Sequence, residues 1–399
     1  LIQLPELAVN LPFDFPEDAS ELFDLAMKQL KLGDIDGAAN VLFRSLQIEE
    51  RHATFFELAK LKFQKLDYPA AHYDVTRSIE MSRALNLDPC VSEPYFKLLA
   101  EIQPLLDAKV EMDAAVERLA KEGDLHGLFQ IFNLAKFESA MMKIARPSLR
   151  MILKDDPGDK AASKIGGWPI LPDDASWPAN AAGVPLAFLC RIDLSSLAGT
   201  RFSELTNQLS GFLSFFYDAV EQPVAGGHKD RSGWKVLFTP PGVRLCYPEE
   251  PEELDDDCVF KPYSVTFEEE LTFPQDDCNP KPEMTIEEAS RFYSLCCAWY
   301  GRHSFENHRL FGCPQLSQDG WELECQLAAE GISHKEFAEF DPQVAEKFTE
   351  GLNDWILLLQ LDSFYDAAIW WQNGAKLCFC IRRDDLAAGD FDKIWPVVY

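Results

Sequence analysis

The sequence predicts an α+β protein of two domains, a helical repeat domain followed by a β-rich domain whose sheet module is duplicated. Three observations point there. Residues 1–155 are rich in Leu, Ala, Lys and Glu, whereas all nine tryptophans lie at or beyond Trp168. Within the first part a set of side chains recurs at an offset of 33 residues. Beyond it, the apolar runs Pro185–Ser195 and Trp355–Ser363 share one design, each reaching an apolar-Asp pair and then a serine. A chain of 399 residues is also long for a single hydrophobic core. The expected order is an N-terminal arm over 1–18, a helical domain over 19–153, a linker over 154–162 and a β-rich domain over 163–399. An acidic insertion is expected at about 249–288.

In the helical part, Leu22-x-x-Leu25-Ala26 recurs as Phe55-x-x-Leu58-Ala59, Asp34 as Asp67, Ala38 as Ala71, Leu42 as Val75 and Ser45 as Ser78. Small residues at fixed positions let two antiparallel helices approach closely. Residues 20–85 thereby resemble the tetratricopeptide repeat, although Leu22 or Phe55 replaces its usual Trp and the closing Pro is absent. A third hairpin is expected around Leu119–Gly127, which repeats the Gly33–Gly37 turn. Stacked helical pairs usually present a concave surface to a partner.

Lys154–Lys160 is polar and carries a Pro-Gly breaker, hence the linker. After it the period changes. Short apolar runs bounded by Pro, Gly and Asp predict strands at Val184–Asp193, Gly211–Asp218, Trp234–Thr239, Val259–Phe267, Ile356–Asp362 and Ala375–Arg382. The densest, Trp355–Ser363, reads as a strand covered on both faces. Ser163–Pro169 is answered by His308–Pro314, and each is followed by a core run and then a glycine-led strand. Two halves packed face to face about a pseudo-dyad are the simplest account.

The same residues carry a family likeness. Gly166–Pro172, Trp177-Pro178, Phe188–Asp193, Gly211–Phe216, Leu310–Gln315, Leu358–Ser363 and Asp384–Leu386 with Asp390-Phe391 resemble the YwqG family, also called DUF1963. The likeness implies a β-rich fold and no known chemistry. Relatives of this kind lie beside bacterial polymorphic-toxin genes, which implies an immunity-type binding role.

Charge narrows the partner class. The net charge is −29, and residues 245–290 hold 15 acids against only Lys261 and Lys281. Phosphate backbones and anionic membranes are repelled by such a chain, so neither nucleic acid nor membrane is the expected partner. A basic protein is its natural complement. No apolar run approaches the ~20 residues needed to span a bilayer, and Leu1–Phe15 contains no Lys or Arg of a secretory signal. Eleven cysteines without Cys-x-x-Cys spacing read as small buried hydrophobes of a reducing cytoplasm.

Sites of chemistry are harder to find. No Gly-x-Ser-x-Gly, Cys/His, phosphate-cradle or calcium-loop pattern occurs, so no metal or cofactor is expected. The acids Glu249, Glu250, Glu252, Glu253, Asp255, Asp256, Asp257, Glu268, Glu269, Glu270, Asp276 and Asp277 form runs that titrate in water and suit a docking surface. Trp370 and Trp371 cannot share one face of a strand, so one of them is expected to be exposed as a contact anchor. The resulting expectation is a non-catalytic cytoplasmic module that docks a basic protein through an acidic surface, with a toxin domain as the sharper form. The alternative is an enzyme with a site between the two β-halves, lined by Lys164, Arg191, Asp193, Arg309, Gln360 and Asp362. A filled interface between the halves favours the binding module, and a pocket with convergent polar groups favours the enzyme.

Overall fold

The computed structural model describes residues 16, 18–155, 162–206, 209–225, 231–274, 282–303, 306–316 and 320–398. It divides into two compact units, one up to Arg118 and one from Leu119 onward. The first contains α1 (Ala19–Lys31), α2 (Ile35–Ile48), α3 (His52–Gln64), α4 (Tyr68–Ala84) and most of α5 (Pro89–Glu122). The offset of 33 has a physical meaning here. Asp34 and Asp67 are the N-caps of α2 and α4, accepting from Gly37 N at 2.9 Å and Ala70 N at 3.2 Å. Ala26, Ala38, Ala59 and Ala71 are all fully buried where paired helices meet. The helical hairpins are therefore two copies of one packing solution.

The second unit opens with α6 (Leu125–Ile131) and α7 (Ala135–Ile144). Asp124 caps α6 as Asp34 caps α2, accepting from Gly127 N at 2.8 Å. Then follow β1 (Arg146–Asp155), β2 (Lys164–Ile165), β3 (Leu171–Pro172), β4 (Ala187–Asp193), β5 (Phe212–Tyr217) and β6 (Trp234–Thr239). The remaining strands are β7 (Leu245–Cys246), β8 (Tyr263–Thr272), β9 (Arg309–Leu310), β10 (Trp355–Asp362), β11 (Lys376–Arg382) and β12 (Trp395–Val398). Helices α8 (Ile286–Tyr300), α9 (Trp321–Ala329), α10 (His334–Ala338), α11 (Pro342–Thr349) and α12 (Arg383–Ala388) lie between them. All pairings are antiparallel, and β3 and β7 form a small separate ribbon.

The main sheet has ten strands in the order β6-β5-β4-β2-β8-β1-β9-β10-β11-β12. Read from its centre outward, this is the same module twice, β2-β4-β5-β6 beside β8 and β9-β10-β11-β12 beside β1. The halves match in detail. An extra residue bulges from β4 at Leu189 against β5, and from β10 at Leu358 against β11. Gly166 and Gly167 have positive φ, as do Phe311 and Gly312 at the equivalent turn. A Cβ on Gly166 would sit 2.4 Å from the Lys261 carbonyl, so glycine is required there.

Bulges bend and twist a strand, and equal bulges curl both halves until the outer edges meet. Ala225 N donates to Pro396 O at 2.8 Å, and Trp234 lies 5.5 Å from Trp395. Inside, the equivalent residues Phe215 and Phe379 touch each other at 5.2 Å, as residues beside a pseudo-dyad must. Every residue of β10 is buried.

Three boundaries differ from the sequence expectation: α6 and α7, expected in the helical domain over 19–153, belong to the second unit, which begins at Leu119. Arg146–Asp155, assigned to the end of the helical domain and the start of the linker, is the central strand β1. It alternates Leu149 and Met151 toward the core with Ser148 and Arg150 on the opposite face. The expected insertion 249–288 likewise contains β8, the other central strand, so it is part of the sheet. The halves belong to one continuous sheet, joined through the β1–β8 pair.

Candidate functional site

Glu249, Glu250, Glu252, Glu253, Asp255, Asp256 and Asp257 are all exposed. No cation of the described residues forms an ion pair with any of them. The end of this segment is held firmly. Asp255 accepts from Asp257 N at 3.0 Å, closing a short turn, and Cys258 and Phe260 just beyond it are buried in the core. Burial raises the Cys258 thiol pKa, and nearby Asp255, Asp218 and Asp257 push it further. Asp276 and Asp277 lie outside the described residues.

Trp370 and Trp371 lie in the loop between β10 and β11 rather than in a strand, and the pair still divides. Trp371 is fully buried, packed between Tyr217 at 5.7 Å and Phe260 at 6.2 Å, so it is core and cannot contact a partner. Trp370 is 56% exposed. Its loop is braced: Ser363 Oγ accepts from Trp371 N at 3.0 Å and donates to Ala375 O at 2.9 Å. From the facing turn, Gln222 Nε2 donates to Trp370 O at 3.1 Å, and Gln222 Oε1 accepts from Gln372 N at 2.9 Å. Lys261 N donates to Ala367 O at 3.2 Å. These bonds bring three segments, 218–222, 255–261 and 364–372, to one end of the sheet. Tyr365 and Val220, 87% and 66% exposed, join Trp370 there. Neither stands out in the sequence, because a lone Tyr or Val in a turn carries no periodic signal.

Glu268, Glu269 and Glu270 behave differently from the solvated run expected of them. Glu270 has a completely buried side chain, facing Arg302 Nη1 at 3.2 Å and Arg309 Nη2 at 3.4 Å, and it accepts from Ser148 Oγ at 3.3 Å. Glu268 faces His303 at 3.1 Å and Arg302 at 3.7 Å, and Glu269 faces Arg201 at 3.0 Å. All three are neutralised by the protein's own cations. The acidic face therefore narrows to Glu249–Asp257.

The residues proposed to line an interhalf site do not converge. Arg309 and Gln360 stand in register with Arg150 across β1, β9 and β10. Asn307 ties them together, its Oδ1 accepting from Arg150 Nη1 and Arg309 Nη2, its carbonyl from Gln360 Nε2 at 2.6 Å, and its N–H donating to Asp362 at 2.9 Å. Burial brings the Arg150 guanidinium down to about 10, with Glu270 opposing the shift. His308 accepts from Asp362 N through Nδ1 at 3.2 Å, and burial beside Arg150 and Lys376 lowers it to about 3, so it is neutral. In the other half, Lys164 donates to Trp168 O, Arg191 Nε to Ala162 O at 3.1 Å, and Asp193 caps a turn by accepting from Ser195 N at 2.9 Å. Each fixes a turn or a register. Between the halves, the fully buried rings of Phe215, Tyr217, Trp371 and Phe379 fill the space.

Among the described residues no group of three or more His, Cys, Asp or Glu side chains is placed to hold a metal ion. No described helix is long and apolar enough to cross a membrane. What fold and surface define is a curled, internally duplicated antiparallel sheet protein with an acidic, aromatic-bearing end. The chain belongs to the family described as Domain of unknown function (DUF1963), whose model matches residues 163–398. That match begins after β1. No curated protein matches the chain.

Proposed function

We propose that this chain is a non-catalytic protein-binding module that docks a basic protein through Glu249–Asp257, with Trp370 as the anchor. The observation carrying this reading is the set of seven exposed carboxylates that lack a cationic partner among the described residues, on a segment anchored beside a half-exposed tryptophan. Unpaired surface charge acts mainly on encounter, steering a cationic surface and raising the association rate. A braced aromatic supplies affinity, since burying such an anchor is commonly worth about 2 kcal/mol or more. The bonds from Gln222 and Ser363 fix the Trp370 loop before binding, so little ordering entropy remains to be lost. The ring-filled interface between the halves also supports binding over a catalytic site at that place.

Immunity is the sharper form, in which the acidic face masks the cationic cleft of a toxin domain in the cytoplasm of a bacterium. The resemblance to relatives encoded beside toxin genes favours it. The test is affinity capture with the full chain at low and high salt, followed by kinetics on the captured basic protein. Neutralising Glu252, Glu253, Asp255, Asp256 and Asp257 to the amides is expected to slow association at least about tenfold at low salt. Trp370→Ala is expected to speed dissociation by about thirtyfold, the equivalent of about 2 kcal/mol. Unchanged kinetics in both variants would remove the proposal.

A further inference from the structure

Where the curled sheet's outer edges approach, the second unit carries a cavity of about 320 Å³ that the docking surface does not use. Its walls come from both halves: Arg231 just before β6 on one side, and Trp355, Arg382 and Trp395 of β10, β11 and β12 on the other. Two guanidinium groups lie on two indole faces. Arg231 sits 4.4 Å from the Trp395 ring centre and Arg382 5.2 Å from that of Trp355. Lys393 completes the cationic lining.

The lining carries three cations, Arg231, Arg382 and Lys393, against two acids, Asp385 and Glu330. Each acid already faces a basic side chain, Asp385 with Lys393 at 2.6 Å and Glu330 with Arg382 at 3.8 Å, which leaves Arg231 as the cation in excess. Arg231 uses only Nη2, on the carbonyls of Asp392 and Ile394. Arg382 uses only Nη2, donating to Gln326 Oε1 at 2.9 Å. Nε and Nη1 of both arginines have no hydrogen-bond partner among the described residues. A guanidinium can donate but never accept. The complementary group must accept several hydrogen bonds and carry negative charge. Two planar guanidinium forks suit an oxyanion, which takes such donors in pairs.

We propose that this seam cavity binds the carboxylate or phosphate group of a small anionic ligand, with Arg231 and Arg382 as its two donors. Because those residues belong to opposite halves, an occupant ties the β6 edge to the β10–β12 side. Occupancy should therefore raise the melting temperature as well as register as binding. The chain's net charge of −29 repels anions at long range, but at 0.15 M salt that repulsion is screened beyond about 8 Å.

The test titrates inorganic phosphate and, separately, acetate into the full chain at constant ionic strength, read by calorimetry and by melting temperature. Saturable binding of at least one probe is expected, and which probe saturates identifies the oxyanion. Arg231→Gln and Arg382→Gln should each weaken it, and the pair by at least about tenfold. Lys235→Gln, which removes a neighbouring ion pair with Asp392 outside the cavity, should leave it unchanged. If Arg382→Gln fails to fold because it uncovers Trp355, Arg231→Gln decides alone. No saturation by either probe below about 50 mM, a binding free energy of about 2 kcal/mol, would overturn the proposal. So would a melting-temperature rise that persists in the arginine variants.

Discussion

Glu270→Gln is the substitution that most directly probes how the middle of the sheet is held together. Its carboxylate lies between Arg302 and Arg309 at 3.2 and 3.4 Å, all three side chains are 5% exposed or less, and Arg150 stands in the same buried row. The amide fills the same volume and keeps a hydrogen-bond acceptor for Ser148, but it withdraws the negative charge. Removing one partner of a buried ion pair costs about 3–5 kcal/mol, because the remaining charge stays desolvated and unpaired. The upper part of that range is expected here, since Arg309 and Arg302 both lose this carboxylate, with Arg302 keeping Glu268 at 3.7 Å. Urea unfolding followed by near-UV circular dichroism measures the change, with Glu269→Gln as control. Glu269 is exposed and pairs only with Arg201 at the surface, so its loss should cost less than about 1 kcal/mol. A Glu270→Gln protein within about 1 kcal/mol of the wild type would refute this electrostatic reasoning.

Three further outcomes follow from the same structure. Phe215→Ala and Phe379→Ala should each destabilise by about 3–5 kcal/mol, and the double variant should depart from additivity by more than about 0.5 kcal/mol because the rings touch; strict additivity would mean that the halves do not meet there. A piece beginning at Ser163 lacks β1 and leaves one edge each of β8 and β9 without a partner, so size-exclusion chromatography should find it aggregated while a piece beginning at Leu119 elutes as folded protein. For His308, whose pKa is lowered to about 3, the unfolded chain takes up a proton near pH 6.5 and the native one does not. As the pH is lowered from 6.5 toward 3, His308 therefore takes away about 1.4 kcal/mol of stability per pH unit, a contribution that His308→Gln should remove and that urea unfolding at pH 7, 5 and 4 would detect.

Some of this architecture was legible in the residues and some was not, for identifiable reasons. Trp355–Asp362 and Ala187–Asp193 declare themselves because continuous apolar runs have no stable place except a covered strand. The repeated order of turn, core strand and glycine-led strand foretold the duplication. β1 escaped, and β8 was read only in its first half within Val259–Phe267, for one shared reason: the positions facing away from the core hold Arg150 and Glu270, charges that pair only in the folded state. A carboxylate run in sequence looks solvated, and Glu270 is buried because Arg302 and Arg309 arrive from more than thirty residues downstream. The expectation that one of Trp370 and Trp371 is outside rests on strand alternation, whereas both lie in a loop. Which one was settled by Ser363 and Gln222, whose bonds orient the loop. The seven acids of the 249–257 run are exposed, as a stretch of carboxylates with no cation beside it in sequence suggests.

The association rate of the captured basic partner with the intact chain, measured against ionic strength, tests the central claim most directly. Between about 50 and 500 mM salt the rate should fall by at least tenfold for the wild type. It should stay nearly flat once the carboxylates of 249–257 are neutralised. Equal rates for the two proteins at every salt concentration would contradict a docking role for this face.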